Sequence, residues 1–190
     1  MFTTTETLLS ILVGVALAAA CGFRVFVPLL VMSIASYSGH LTLSDGFQWI
    51  ASLPALVAFG VATTLEIVGY YIPWVDHVLD VIATPAAIVA GAIAMASTMV
   101  GLSPFLQWTL AIIAGGGIAG LIQAFTGVTR IVSTTTTGGI GNPVVSTAEA
   151  GGSITLSVLA VVIPFVAVII VVVVVFLATR SLYKKLFRST

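Results

Sequence analysis

Charged side chains are scarce in this sequence: Asp, Glu, Lys and Arg together make up 6% of its 190 residues. Soluble domains contain about 25% of these residue types, whereas 59% of the residues here are hydrophobic. The six basic and six acidic side chains cancel, so no basic surface indicates a nucleic-acid partner. This composition predicts an integral membrane protein surrounded by the lipid bilayer, and it leaves no room for a sizeable soluble domain.

Cysteine is nearly absent as well. Cys21 is the single cysteine of the sequence, and it cannot form an intramolecular disulfide. The two histidines, His40 and His77, have no nucleophile at a suitable spacing, so no Ser-His-Asp or Cys-His set is recognisable. The N-terminal stretch MFTTTETLLS lacks the Lys or Arg of a signal peptide, and the apolar run behind it is expected to remain as a membrane span. We therefore expect neither enzymatic activity nor a cofactor.

Long apolar runs dominate the sequence instead. A helix needs about 20 mostly apolar residues to cross a bilayer. Five segments meet that requirement, namely residues 8–36, 53–71, 84–101, 105–132 and 154–179. The sequence therefore predicts an all-α, polytopic protein with about five transmembrane helices, one transmembrane domain (residues 1–179) and a basic tail (residues 180–190).

Basic residues are concentrated in that tail, which contains Arg180, Lys184, Lys185 and Arg188. The positive-inside rule places such a tail in the cytoplasm, so we expect a multi-pass protein of a bacterial inner membrane with a cytoplasmic C-terminus. Five spans then place the acidic segment IPWVDHVLDVIA (residues 72–83) and the Thr/Gly-rich segment (residues 133–153) outside. The acidic segment predicts a short amphipathic helix at the membrane surface.

The Thr/Gly-rich segment STTTTGGIGNPVVSTAEAGGS is long and has no core-forming pattern. Loops of this length are usually functional or disordered, and we interpret it as a re-entrant or site-lining loop. Its successive backbone amides can form an anion-binding nest. Its candidate binding residues are Thr136, Thr137, Gly138, Gly139, Asn142 and Glu149. A flexible glycine loop is the simpler alternative.

Two of the long spans match each other at an offset of 106 residues. Ser10, Gly14 and Ala18 fall on Gly116, Gly120 and Ala124, and Arg24 falls on Arg130. Small residues at four-residue spacing allow close helix packing. The match predicts an inverted repeat of helices 1–2 and 4–5, an arrangement found in many transporters. Chance similarity between Ala- and Gly-rich helices is the alternative.

Three charged residues lie inside apolar segments, where a charge is costly and usually faces the protein interior or water. Arg24 lies between Gly22 and Pro28, which favour a break in the helix. In one interpretation Arg24 and Arg130 present positive charge to a substrate, and Glu66 couples proton movement to transport. In the other, Arg24 pairs with Glu66 or extends to the membrane surface, as Arg130 can do near the end of its span.

A weak metal-site pattern lies in the acidic segment. Asp76 and Asp80 stand four residues apart, on one face of a helix, with His77 beside them. Carboxylates at this spacing can share a hard cation, and His77 can add a transition-metal ligand. The alternative is that both carboxylates form the wet face of a surface helix.

Three stretches, CGFRVFVPLL, LEIVGYYIPWVDHVLDVIATP and GNPVVSTAEA, together resemble a family of integral membrane proteins known as domain of unknown function 4126. The resemblance covers most of the chain and implies a membrane topology but no substrate. That family usually has an acidic-basic pair where this chain has Tyr70 and Tyr71, and Glu-Asp where this chain has Glu149 and Ala150. The resemblance therefore implies that part of a charge network is missing here.

The sequence supports three functional hypotheses. The first is a small homo-oligomeric transporter or channel for an anion or a lipid-phosphate head group, with Arg24 and Arg130 at the site. The second is a cation transporter, metal or proton-coupled, that uses Glu66, Asp76, Asp80 and Glu149. The third is a membrane scaffold that packs against partner membrane proteins and transports nothing.

Overall fold

The computed structural model describes residues 3–187, without the side chains of Pro73, Trp74, His77, Leu182 and residues 184–187. Within that range all regular elements are helical. They are α1 (Thr4–Cys21), α2 (Phe26–Tyr37), a 3-10 helix (Asp45–Ala51), α3 (Leu53–Gly69), α4 (Pro73–Thr98), α5 (Pro104–Leu110), a π-helical stretch (Ala111–Gly116), α6 (Gly117–Thr137), α7 (Asn142–Val162) and α8 (Pro164–Phe187).

Among the described residues, five helices are long and apolar enough to cross a membrane. They are Thr4–Cys21, Val78–Thr98, Pro104–Thr137, Asn142–Val162 and Pro164–Ser181. The 3-10 helix and α3 meet at 66° and together pass the same test. The all-α, multi-pass architecture is therefore confirmed, although the spans are not all the predicted ones.

The first predicted span is a helical hairpin. A Cβ atom on Gly14 of α1 would lie 2.5 Å from Thr98 Oγ1, and Ser97 Oγ donates to Met32 Sδ of α2 over 3.1 Å. Both helices thus contact the same C-terminal end of α4, so α2 turns back alongside α1. The prediction of one continuous span over residues 8–36 is wrong. The tip of the hairpin is formed by residues 22–25.

The predicted fifth span and the Thr/Gly-rich loop are also different in the structure. Residues 133–137 continue α6, residues 142–153 begin α7, and only residues 138–141 form a turn. Gly138 and Gly139 have φ values of 63° and 90°, a left-handed conformation that ends a helix at glycine. A second break, before Pro164, separates α7 from α8, because proline cannot continue the preceding hydrogen-bond ladder. The prediction of a long re-entrant loop is therefore wrong.

The acidic segment is not a separate surface helix. It forms the N-terminal part of the 26-residue helix α4, which starts at Pro73 and contains Pro85. Proline fits the first turn of a helix, where its missing N–H has no partner to lose. The predicted surface helix and the predicted third span are thus one element.

The helices α1 and α6 both pack against α4 through small residues. A Cβ atom on Gly91 of α4 would lie 2.5 Å from Ala119 Cβ, and one on Gly22 would lie 2.6 Å from the Ala119 carbonyl oxygen. Because α1 and α6 both run antiparallel to α4, they are parallel to each other. The inverted orientation predicted for this pair is therefore wrong, since the chain turns back at the hairpin and reverses the direction of the later helices.

Two faces of the helix bundle can be distinguished. The proximal face contains the turns at residues 70–72 and 138–141. The distal face contains the connections at residues 38–44 and 99–103. Since α7 and α8 are antiparallel neighbours joined at the distal face, the C-terminal end of α8 lies on the proximal side. The tail was predicted to lie opposite the acidic and Thr/Gly-rich segments, and that relative placement is wrong.

Candidate functional site

Arg24 extends from the hairpin tip into the bundle interior, where it is 2% exposed. Its Nη2 donates to the Ser146 carbonyl oxygen over 2.9 Å and to Ser146 Oγ over 2.7 Å. The same nitrogen lies 3.3 Å from Glu149 Oε2. The break in the chain at residues 22–25 allows this side chain to reach α7. Arg24 is therefore an interior charge with an ionic partner.

Arg130 points from α6 into the same interior and is 3% exposed. It holds Glu149 in a two-pronged contact, with Nε donating to Oε1 over 3.1 Å and Nη2 donating to Oε2. Its Nη1 donates to Asp76 Oδ1 over 2.6 Å and lies 3.4 Å from Asp80 Oδ1. Such fork-to-fork contacts are strong and directional. Arg130 thus binds three carboxylates and does not extend to the membrane surface.

Tyr70 lies between α3 and α4 and contacts both arginines. The guanidinium carbon of Arg24 is 3.8 Å from the ring centroid, and that of Arg130 is 4.0 Å from it. The negative face of an aromatic ring attracts a cation at this distance. Tyr70 therefore stabilises two like charges that would otherwise repel each other.

Glu66 binds the backbone of the hairpin tip. Its carboxylate accepts hydrogen bonds from the amides of Val25 and Phe26, over 2.7 and 3.0 Å. These amides are among the first of α2, which have no partner within the helix, and a negative charge is favourable there. The predicted partner of Arg24 was Glu66, whereas the carboxylate that the structure places on Arg24 is Glu149.

Asn142 extends the network to the proximal face. Its Nδ2 donates to Asp76 Oδ2 over 3.2 Å and to Thr134 Oγ1 over 3.1 Å. These three residues line two adjoining cavities. The smaller, of about 190 Å³, also reaches Asp80 and Arg130. The larger, of about 410 Å³, also reaches Tyr70 and the 138–141 turn. The network is therefore accessible from the proximal face.

We call the assembled residues the charge cluster. Its members are Arg24, Glu66, Tyr70, Asp76, Asp80, Arg130, Ser146 and Glu149. It contains four of the six acidic residues of the chain and two of the six basic ones. With every group ionised, the cluster has a formal charge of −2. A buried cluster with this balance attracts cations or protons more readily than anions.

Most predicted site residues meet in or beside this cluster, but two do not. Thr136 and Thr137 are exposed, and their hydroxyls donate to the Val132 and Ser133 carbonyls of their own helix. Gly138 and Gly139 line the larger cavity. The anion-binding nest at these amides stays a prediction.

The predicted metal site has a different environment from the one expected. Asp76 and Asp80 both face Arg130, and no group of three or more potential ligands is arranged to hold a metal among the described side chains. The side chain of His77 lies outside the described residues. Asp76 is buried, so it does not form the wet face of a surface helix.

Sequence reasoning missed Tyr70 and Ser146 as members of the cluster. Ser146 stands four residues after Asn142 and three before Glu149, which is one face of a helix. This signal was hidden because the segment was interpreted as a loop. Tyr70 was interpreted as a position where a charged pair of the family is missing, yet its ring contacts both arginines of the cluster.

One protein family matches most of the chain. The family described as "Domain of unknown function (DUF4126)" matches residues 11–184. The chain belongs to this family. No curated protein and no solved structure matches it. Every cluster residue lies within the matched range, so the charge cluster belongs to the family domain.

Proposed function

We propose that this member of the DUF4126 family is a small membrane transporter that moves a cation through the charge cluster. The observation that carries the proposal is the excess of carboxylates: Asp76, Asp80 and Glu149 contact the two arginines, Glu66 lies in the same cluster, and Asp76 and Asp80 line a cavity. Burying this many charges is costly, and such residues inside membrane proteins usually mark ion pathways. A purely structural pair would need one carboxylate for each arginine.

The smaller cavity is the proposed entry. Asp76 and Asp80 share Nη1 of Arg130 there, and the Asp80 side chain is 34% exposed. A cation that reaches these carboxylates competes with Arg130 for them. Arg130 then retains its contact with Glu149. Binding of the cation therefore breaks the ion pairs of Arg130 with Asp76 and Asp80 and leaves the pair with Glu149 intact. This exchange of partners links occupancy of the site to the packing of α4 against α6.

The anionic substrate expected from Arg24 and Arg130 is less well supported. Both guanidinium groups already contact Glu149, and an anion would have to displace that carboxylate against the net negative charge of the cluster. The scaffold hypothesis explains paired charges, but it gives no role to a carboxylate excess beside a cavity. We therefore favour the cation hypothesis.

The side of entry follows from the basic tail. Arg180 lies near the proximal end of α8, and the positive-inside rule assigns such residues to the cytoplasm. We therefore propose that the proximal face, with its two cavities, is cytoplasmic.

The test is cation flux into liposomes that contain the purified protein. Proton, sodium and potassium gradients are imposed one at a time, and uptake is followed with ion-sensitive dyes. We expect flux for one cation, and a loss of at least about tenfold in Asp76→Asn and Asp80→Asn, since each removes one charge from the entry. Asp45→Asn is the matched control, because Asp45 is exposed at the distal face.

Each variant is first shown to be folded by gel filtration and thermal unfolding. Absence of flux for all three cations would contradict the proposal. If Asp76→Asn and Asp80→Asn showed the same flux as the control, these two carboxylates would not belong to the ion pathway. Anion flux that requires Arg24 would favour the first sequence-based hypothesis instead.

A further inference from the structure

Three buried side chains have polar atoms for which no described residue provides a hydrogen-bond partner. They are Nε and Nη1 of Arg24, Oγ1 of Thr63 and Oγ of Ser157. Their residues are 2%, 8% and 0% exposed. Buried polar groups are nearly always paired with protein or water, and a buried water typically makes about three hydrogen bonds. These atoms therefore mark positions for ordered water.

Arg24 belongs to the charge cluster, and the other two side chains both lie on its distal side. Thr63 lies one helical turn before Glu66 on α3, toward the distal face. Ser157 lies about two turns beyond Glu149 on α7, or about 12 Å at 1.5 Å per residue, also toward the distal face. The hydroxyls of Thr63 and Ser157 thus lie on the distal side of the cluster, and neither residue lines a proximal cavity.

One face of α7 is polar although it is buried. This face consists of Asn142, Ser146, Glu149, Ser153 and Ser157. Ser153 donates to the Ala20 carbonyl oxygen of α1 over 3.1 Å, which shows that the face points at the hairpin. Serine is common where transmembrane helices pack closely, but the buried Asn142 and Glu149 make this face more polar than close packing alone requires. The hydroxyls of Ser146 and Ser153 have partners, whereas that of Ser157 has none among the described residues, which suits a bound water at the distal end of this face.

We infer that a chain of buried water runs along this face of α7, from the charge cluster past Ser157 toward the distal face, and that it conducts protons. This inference rests on the proposed function and names its cation. The path leads toward the open groove of about 430 Å³ between α2 and α7, whose lining is mostly apolar and also includes Ser38 and His40.

Protons fit this path better than metal cations do. A metal cation needs several oxygen ligands around one point, six to eight for calcium, whereas the described part of the path offers single hydroxyls. A hydroxyl both donates and accepts, so it can pass a proton along a water chain by exchanging one O–H bond for another. The proton enters at one end and leaves at the other, with Glu149 and Glu66 as acceptors beside the two arginines and Tyr70. His40 is the titratable group at the distal end.

The first test measures water access directly with Ag⁺, a thiol-reactive ion small enough to enter a narrow path. The chain has one native thiol, Cys21, which is fully buried in the apolar core. Folded Ser157→Cys is exposed to Ag⁺, and thiols left unblocked are counted by alkylation after unfolding. We expect one of its two thiols to be blocked. Wild type and Ala167→Cys, a buried apolar position on α8, should retain all of theirs.

The second test asks whether the path carries protons. Ser157→Ala removes the hydroxyl without adding bulk, and we expect proton flux into liposomes to fall about tenfold, the effect of losing one hydrogen bond. Ser10→Ala is the control, because Ser10 bonds within its own helix far from the cluster.

The outcomes separate the two proposals. Unblocked thiols in folded Ser157→Cys would overturn the water path, and proton flux in the same preparation would leave the transport function standing. Silver access in a protein that moves no cation would overturn the transport function and the proton assignment, while the path itself would stand. If Ser157→Ala conducted protons at the wild-type rate, the Ser157 hydroxyl would take no part in proton conduction.

Discussion

Arg24 and Arg130 donate to the same hydroxyl, that of Ser146, over 2.7 and 3.3 Å. Arg24 belongs to the hairpin tip and Arg130 to α6, 106 positions further along the chain. Two guanidinium groups this close repel each other strongly in a low-dielectric interior. The carboxylate of Glu149 and the ring of Tyr70, each in contact with both arginines, offset that repulsion. The cluster therefore behaves as a unit, and mutations within it are not expected to be additive.

Glu149 is the member whose loss should cost most. Glu149→Gln keeps the shape of the side chain but removes the negative charge that both arginines share. Removing one partner of a buried ion pair typically costs about 3–5 kcal/mol, so we expect a loss of that size in unfolding free energy, measured in micelles with increasing denaturing detergent. Asp45→Asn is the neutralising control and should change little. A loss in Glu149→Gln as small as that of the control would contradict the bridging role.

Tyr70 contributes through its ring face and not through its hydroxyl. Tyr70→Phe keeps the face and should remain close to wild type. Tyr70→Leu removes it and should lower the unfolding free energy by about 2 kcal/mol or more, because a desolvated cation–π contact contributes about 2 kcal/mol and two are lost. The same detergent titration measures both variants. Equal losses in the Phe and Leu variants would show that the hydroxyl, and not the ring face, stabilises the cluster.

The membership of the cluster was largely predictable, because charges are expensive in an apolar chain. Arg24, Glu66 and Arg130 were singled out on that ground and Glu149 as a candidate of the Thr/Gly-rich segment, and the structure brings the four together. Buried charges must find partners, so the few in this sequence were bound to meet. Their role in function stays a prediction.

The path of the chain was less predictable. Gly22 and Pro28 indicate a break, but the direction in which α2 leaves it depends on Glu66, which is 40 residues further along and binds the tip. Thr and Gly have low helix propensity, which suggested a loop at residues 133–153. The contacts of Ser146 and Glu149 with the arginines override that propensity. Long-range contacts of this kind leave no periodic signal in one sequence.

Close packing at the hairpin tip gives a test of the fold. A Cβ atom on Gly22 would lie 2.6 Å from the Ala119 carbonyl oxygen and from Ile122 Cβ, and a backbone atom cannot move aside easily. Gly22→Ala should therefore destabilise the protein, by about 1–3 kcal/mol as for other overpacked sites. Gly127→Ala, at a helical position with open space, should be neutral or stabilising by up to about 1 kcal/mol. Melting temperatures in detergent compare the two.

The order of these two variants is the decisive result. If Gly22→Ala were as stable as Gly127→Ala, α1 and α6 would not approach each other closely, and the parallel packing of these helices would have to be abandoned.

Glu66 should control how tightly the hairpin tip is held. Its carboxylate accepts from two successive amides, whereas a glutamine has one acceptor oxygen and turns an NH₂ group toward the second amide. Glu66→Gln therefore leaves one buried amide without a partner, which costs about 1–3 kcal/mol. The tip should open more often, and the thiol of Cys21, three residues before Arg24, should report it. We expect alkylation of Cys21 to be negligible in wild type and at least about tenfold faster in Glu66→Gln, since about 1.4 kcal/mol corresponds to a factor of ten.

Asp45→Asn again provides the control, because it removes a carboxylate far from the tip and should leave Cys21 protected. Global unfolding is distinguished by measuring Gly115→Ala in parallel, since a Cβ atom there would lie 2.7 Å from the Gly91 carbonyl oxygen and would weaken the fold away from the tip. If Cys21 reacted equally fast in Gly115→Ala and Glu66→Gln at matched stability, its labelling would report general loosening. A selective effect of Glu66→Gln would show that one carboxylate, bound to two backbone amides, holds in place the turn from which Arg24 enters the cluster.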